Sequence, residues 1–160
     1  MKKSMKTGER VLIGWREWCG LSDLGIPLIK AKIDTGARTS AIHAFDIKPI
    51  MKGRRLWVSF SIHPIQGDNT RVKQCLAPVI DQRAVMSSNG HKEHRYVIET
   101  HLSIGDQSWP IELTLSNRDP LRFRLLLGRA ALQGRVCIDP LYSYHQGRFS
   151  KRQQARYYHD

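Results

Sequence analysis

Residues 33–41 read Ile-Asp-Thr-Gly-Ala-Arg-Thr-Ser-Ala and are the most informative part of the chain. It follows the apolar-alternating residues 28–33, a pattern typical of a half-buried strand. Asp and Gly favour tight turns, because Asp bonds nearby backbone groups and Gly accepts a positive φ. The pattern predicts a strand that ends in a turn carrying one acid, Asp34.

An acid in such a turn is typical of aspartic peptidases. Their chemistry needs two carboxylates that share one proton, because like charges so close together cannot both ionise. None of the other aspartates in this chain is followed by Thr-Gly or Ser-Gly. If Asp34 is catalytic, its partner is most simply Asp34 of a second chain across a two-fold axis. An ordinary strand-ending turn is the alternative interpretation.

A second segment supports the catalytic interpretation. In residues 124–132, an apolar run meets Gly128 and is followed by residues suited to a short helix. Peptidases of the retroviral type pair the Asp turn with such an apolar-apolar-Gly segment. With residues 13–18, 23–26, 30–41, 87–90 and 126–129, the chain resembles the bacterial retropepsin-like proteins often labelled ATP-dependent zinc proteases. The resemblance implies a closed β fold, a dimeric aspartic active site and peptide-bond hydrolysis.

The resemblance also implies roles for the turn residues. Asp34 and its copy would hold the lytic water, one carboxyl acting as general acid and the other as general base. The Thr35 hydroxyl would bond across the two-fold axis, and Gly36 would bring its amide close to a carboxylate. Thr39 and Ser40 either support the turn by hydrogen bonds or form a local cap. Each of these residues also fits a purely structural turn.

Two further groups of residues follow from the same resemblance. Substrate binding is assigned to the turn's flank and to a flap tip, namely Ala37, Arg38, Ser88, Asn89 and Gly90. Arg38 would either read an acidic side chain or pair with a carboxylate. Structural support beneath the site is assigned to Leu127, Gly128 and Arg129. The flap tip has an alternative interpretation as an exposed hairpin with an Asn-Gly turn.

The sequence offers no residue-level support for the metal and nucleotide in the family label. It contains neither a His-Glu-x-x-His motif nor a Gly-x-x-x-x-Gly-Lys-Ser/Thr loop. His91 and His94 stand three apart on a hairpin arm, where side chains of that spacing point to opposite faces. We therefore predict no metal site and no cofactor. A zinc-dependent peptidase, with a site assembled from distant histidines, stays as an alternative.

The charge of the chain predicts an acidic partner. Its 26 Lys and Arg residues outnumber 14 Asp and Glu residues, which gives a net charge of +12. The basic residues are dispersed and no nucleic-acid recognition motif accompanies them, so nucleic acid is not the favoured partner. For a peptidase, this charge favours Glu- or Asp-rich peptides; some relatives are associated with removal of oligoglutamate from a ribosomal protein tail. A non-catalytic basic module that binds nucleic acid or the ribosome is the alternative.

Length and composition indicate one domain, residues 1–160, with flexible basic ends at 1–10 and 148–160. No secretory signal is recognised at the start, and no apolar run reaches 18 residues, so no membrane association is expected. Three cysteines without a Cys-x-x-Cys motif suit reduced, buried thiols in the cytoplasm.

Short alternating segments separated by turns predict an all-β fold, a closed retropepsin-like barrel with one short helix. The predicted strands are 10–14, 28–33, 56–63, 71–79, 83–86, 95–104, 108–115 and 125–127. The arms 79–86 and 92–98 are long enough to form a movable flap. Residues 130–134 are predicted to form the helix.

Overall fold

The computed structural model describes residues 10–86, 90–117 and 122–158. The strands in these ranges are β1 Val11–Ile13, β2 Arg16–Leu21, β3 Ile26–Ile33, β4 Ser40–His43, β5 Phe45–Lys52, β6 Arg55–Ile62, β7 Lys73–Met86, β8 Lys92–Ile104, β9 Gln107–Ser116, β10 Leu125–Leu127 and β11 Val136–Ile138. The helices are α1 Arg129–Leu132 and α2 Lys151–Tyr157, and Ser22–Leu24 forms a 3-10 turn. None of the helices in these ranges is both long and apolar enough to span a membrane.

Six strands close into a barrel, which confirms the predicted all-β class. The order is β2-β3-β10-β4-β9-β8, and β2 returns to pair with β8. Strands β7, β6 and β5 extend the sheet beyond β8, while β1 and β11 form a separate parallel pair. Strand β10 lies between β3, to which it is parallel, and β4, to which it is antiparallel. This arrangement brings the end of β3 beside the end of β10.

The core is built from alternate residues of the strands. On β6, Val58, Phe60 and Ile62 are buried, as their alternation predicts. On β3, Ile29, Ala31 and Ile33 are buried in the same way, so the lysines between them lie on the outer face. Burial of each large side chain contributes about 1.5–3 kcal/mol to folding. The hydrophobic interior therefore fixes which residues of β3 face outward.

The structure differs from the predicted elements in several places. Strands β2, β4, β5 and β11 were not predicted, nor was α2, and the helix predicted at 130–134 is α1. Strand β2 was missed because it carries two charged residues, Arg16 and Glu17. Strand β5 was missed because it contains Pro49, which is tolerated there since β5 is an edge strand. The strands predicted at 71–79 and 83–86 are one strand, β7, with a register shift between Val79 and Asp81. Cys137, which we expected to be buried, is exposed.

Strands β7 and β8 form the long hairpin predicted as a flap. Their pairing runs out to Met86 opposite Lys92. Gly90 has a φ of 85°, a value that favours glycine. The predicted tip residues Ser88 and Asn89 lie outside the described residues. The hairpin arms are therefore confirmed, and the function of the flap stays a prediction.

A buried carboxylate ties the chain after β11 to the barrel. Glu17 is fully buried, and its carboxylate accepts hydrogen bonds from three backbone amides. Gly14 and His145 donate to Oε2 at 2.7 and 2.8 Å, and Gln146 donates to Oε1 at 3.1 Å. A buried charge is tolerated when it is bonded in this way. Glu17 therefore holds residues 145 and 146 against β2.

We predict that Glu17→Ala lowers the free energy of unfolding by about 3 kcal/mol, because three amides lose their acceptor. Urea denaturation followed by circular dichroism measures this loss. Glu112→Ala is the matched control, since Glu112 is exposed on β9; it should change stability by less than about 1 kcal/mol. A loss of similar size in both variants would contradict the role assigned to Glu17.

Candidate active site

The Asp34 turn begins where β3 leaves the barrel. The Ile33 amide donates to the Trp15 carbonyl at 2.8 Å, and the Asp34 amide donates to the Leu127 carbonyl at 2.9 Å. The turn is closed from within, because the Gly36 amide donates to Asp34 Oδ1 at 3.1 Å. Asp34 is half-buried, whereas Thr35 and Gly36 are exposed. The acid therefore sits at the surface on a turn whose backbone is fixed on both sides.

The chain after β10 locks onto this turn through successive amides. The Gly128 amide donates to Ser40 Oγ at 3.0 Å, and the Arg129 amide donates to the Ala37 carbonyl at 2.8 Å. The Ala130 amide donates to the Arg38 carbonyl at 3.0 Å. These bonds use the amides at the start of α1, which have no partner inside the helix. The two segments singled out in the sequence therefore form one unit.

Arg129 reaches from this unit back to the turn itself. Its Nη1 donates to the Thr35 carbonyl at 2.8 Å. This hydrogen bond restrains the backbone of the turn next to Asp34. The support role predicted for Arg129 is consistent with this contact.

Gly128 allows the close approach of the two segments. A Cβ at this position would lie 2.6 Å from the Thr39 carbonyl oxygen and 2.8 Å from the Arg38 carbonyl carbon. The φ of Gly128 is −90°, which any residue adopts, so glycine is required here for space alone. Ser40, which lies beside this contact, is buried and accepts the Gly128 amide across the two segments. Of the two roles left open for Ser40, the structure shows support rather than a local cap.

A row of side chains crosses the sheet at the level of Lys32, two residues before Asp34. Lys32 is opposite Leu126, Leu126 is opposite Ala41, Ala41 is opposite Thr114, and Thr114 is opposite Val97. Residues directly opposite one another share a face of a sheet. The row therefore extends from β3 to the flap strand β8, and it lies on the outer face with Lys32. At the β8 end of the row Thr114 and Val97 are buried, so the row is open to solvent only toward Lys32 on β3.

The structure places the predicted residues as follows. Thr35, Ala37 and Arg38 lie in the loop that receives bonds from residues 128–130, and Arg38 is exposed. Gly90 lies at the exposed end of the hairpin. Sequence reasoning missed Thr114, whose hydroxyl donates to the Ser40 carbonyl at 3.1 Å, and no pattern in the sequence pointed to it. Among the described residues, no three His, Cys, Asp or Glu side chains cluster to hold a metal.

A cavity of about 420 Å³ lies beside the base of the flap. Its lining comes from β5, β8, β9 and the residue that follows β9, namely Ile47, Glu93, His94, Tyr96, Leu115 and Asn117. Arg95 pairs with Glu93 at 3.3 Å, and the Ser116 hydroxyl donates to the same carboxylate at 3.2 Å. The charged residues at the flap base are therefore already engaged with one another.

Comparisons with known proteins support a retropepsin-like family and fold. Residues 12–149 match the family described as retropepsin-like aspartic endopeptidase RimB. Among solved structures, a Legionella pneumophila protein of unknown function, Lpg0085, has a similar fold, with a TM-score of 0.72. The match covers 86% of this chain and 98% of that one, at 24% identity, so it supports the fold alone.

Curated relatives of the chain are named as ligases and not as peptidases. A probable alpha-L-glutamate ligase of Parasynechococcus marenigrum is 48% identical over 138 residues, which are 86% of this chain and 30% of that protein. A protein of the same name from Desulfotalea psychrophila is 46% identical over 147 residues, which are 92% of this chain and 32% of that protein. The chain therefore spans about a third of the length of these relatives.

We predict that Gly128→Ala destabilises the fold by about 1–3 kcal/mol, because the added methyl group must push the Thr39 backbone away. Thermal and urea unfolding measure the change. Ala130→Ser on the exposed side of α1 is the control and should cost less than about 1 kcal/mol. Equal stability of Gly128→Ala and the control would show that the two segments are not in close contact.

Proposed function

The chain belongs to the family of retropepsin-like aspartic endopeptidases described as RimB, and we propose that it hydrolyses peptide bonds as a homodimer. In this proposal, Asp34 of each chain contributes one carboxylate to a shared site. The observation that carries the proposal is the Asp34 turn, which is exposed yet held by the Leu127 carbonyl and the amides of residues 128–130. A rigid turn matters because small misplacement of a catalytic group is costly.

The proposed reaction uses one water molecule and the two carboxyl groups. The ionised carboxylate takes a proton from water, whose oxygen attacks the peptide carbonyl carbon, while the protonated carboxyl donates to the carbonyl oxygen. The C–N bond then breaks, and the amine leaves with a proton from the pair. The pair titrates as a unit, because its two groups interact strongly. No metal or cofactor takes part in these steps.

The other predicted residues support this dyad in the proposal. Thr35 bonds across the two-fold axis and keeps the two turns in register, and Gly36 donates its amide to the carboxylate. The Gly36 bond to Asp34 and the Arg129 bond to Thr35 support these assignments. In the proposal, the β7–β8 hairpin covers the bound peptide and excludes bulk water, and Ala37 and Arg38 contact the peptide. We place the activity in the cytoplasm, a choice supported by three unpaired cysteines.

The proposed substrate is an acidic, Glu-rich segment of a protein. The net charge of +12 supports an acidic substrate, because opposite charges attract at long range. The relatives named glutamate ligase support the same class of substrate. A ligase that joins glutamate and a peptidase that cleaves it would act on one kind of chain in opposite directions. The ligase name itself belongs to proteins about three times as long as the matched segment.

We predict that Asp34→Asn lowers the rate of peptide cleavage by at least about 10³-fold, because the dyad loses its shared proton and its base. Cleavage of a Glu-rich protein tail, followed by mass spectrometry, measures the rate. Asp46→Asn is the matched control, since Asp46 is exposed outside the turn, and it should retain full activity. An active Asp34→Asn enzyme that is inhibited by a chelator would instead indicate a zinc-dependent peptidase.

We also predict that inactive chains lower the activity of the wild-type chains with which they pair. When wild-type protein is mixed with a threefold excess of Asp34→Asn and allowed to exchange subunits, random pairing leaves about one quarter of the wild-type activity. The reason is that a mixed dimer has only one intact carboxylate. Mixing with a threefold excess of an unrelated protein is the control. Undiminished activity after proven subunit exchange would mean that each chain works alone.

A further inference from the structure

Cations gather on the outer face of β2 and β3, the strands that lead to the Asp34 turn. Arg16 is opposite Lys32, and Trp18 is opposite Lys30. Lys32 stands two residues before Asp34, so these side chains approach the proposed active site along one face. Lys30 is half-buried and Lys32 is exposed. This face therefore presents three positive charges in a short distance.

The segment after β11 adds a fourth cation and an aromatic ring. The Tyr144 ring stacks on Trp18, with centroids 6.2 Å apart. The guanidinium carbons of Arg16 and Arg148 lie 5.0 and 4.9 Å from the Tyr144 centroid, and Lys30 Nζ lies 5.7 Å from it. The Tyr144 amide donates to the Arg16 carbonyl at 3.0 Å, which holds the ring over the strands.

These cations have little compensation from carboxylates. The ion pairs found among the described residues involve other side chains. The nearby Glu17 is buried and occupied by backbone amides. Burial first, and then repulsion from Arg16 and Arg122, lowers the pKa of Lys30. A bound anion would relieve this repulsion.

We propose that Arg16, Lys30, Lys32 and Arg148, here called the cationic strip, bind the carboxylate side chains of an extended peptide on its way into the Asp34 site. The proposal concerns the substrate of the same site, and so it rests on the proposed peptidase function. Lys30 and Lys32 are alternate residues of one strand, about 6.6 Å apart along it. An extended peptide presents alternate side chains at the same spacing. Acidic residues at every second position therefore match the strip.

The same observations favour a peptide over a nucleic acid. Single-stranded nucleic acids stack their bases on open aromatic faces. Here the Tyr144 and Trp18 rings stack on each other, and Lys30 Nζ lies 5.1 Å from the Trp18 centroid. Arg16 also covers the Trp15 ring, at 4.4 Å from its centroid. The ring faces in the strip are thus occupied, while its charges remain available.

The test measures binding separately from cleavage. The Asp34→Asn protein is titrated into a fluorescent twelve-residue peptide of alternating Glu and Ser at low salt. We expect the added double substitution Lys30→Ala and Arg148→Ala to weaken binding at least tenfold. The matched control, Lys48→Ala with Arg54→Ala, removes the same charge from the exposed hairpin of β5 and β6. It should change binding less than twofold.

Two further arms address folding and spacing. Lys32→Ala removes an exposed side chain, so it tests the strip even if the double variant unfolds; we expect at least threefold weaker binding. A peptide of equal length and charge with Glu in adjacent pairs tests the spacing, and it should bind more weakly than the alternating peptide. Equal weakening by strip and control variants, or equal binding of the two peptides, would overturn the proposal. Tighter binding of an oligouridine RNA than of the alternating peptide would overturn it too.

Failure of the strip and failure of the peptidase function give different results. If the alternating peptide binds through the strip but wild-type protein cleaves no Glu-rich tail, the strip stands and the proposed reaction fails. If wild-type protein cleaves the tail and the strip variants keep the same KM, the reaction stands and the strip fails. Circular dichroism of each variant confirms that the compared proteins are folded.

Discussion

The close contact between Gly128 and the backbone of Thr39 is the constraint on which the site depends. Because Gly128 has no side chain, the chain after β10 can lie against the loop that follows Asp34. That proximity lets amides 128–130 bond to Ser40, Ala37 and Arg38. Three strands of the barrel, β3, β4 and β10, are thereby joined at the point where the acid emerges. A barrel without this contact would still bury its core, but it would leave the turn unsupported.

The fold could be predicted where the signal is local, and it could not where the signal depends on distant partners. Three features can be recognised from fewer than ten consecutive residues each: the turn at Asp34, the apolar run 125–127 and the alternation of β6. Strand β2 was not predicted, because Glu17 looks like a surface residue in the sequence. Only the structure shows that the distant residues 145 and 146 bond to its carboxylate. Local patterns also gave the family resemblance and the Asp34 turn. The bonds of Ser40, Thr114 and Arg129 needed the structure.

Glu17 links the barrel interior to its outer surface. Its carboxylate bonds the amides of residues 145 and 146, and these follow directly after Tyr144, the centre of the cationic strip. Because buried hydrogen bonds to a charged group are among the stronger ones, this anchor fixes Tyr144 firmly. The buried carboxylate thus helps to position Tyr144, near which the side chains of Arg16, Lys30 and Arg148 lie.

In the proposed function, the cationic strip acts through individually weak contacts. An exposed ion pair contributes only about 0–1 kcal/mol, so four such pairs give modest affinity for any one peptide. Their value lies in position, since they lie on and beside β3, the strand that leads to Asp34, and away from the scissile bond of the proposed substrate. Binding energy from remote parts of a substrate can hold the reacting bond in place. Partial burial of Lys30 strengthens its contribution, because charges interact more strongly where water is excluded. In the proposed function, a surface of this kind guides an acidic chain toward the turn without binding any single residue tightly, which suits repeated cleavage of a flexible tail.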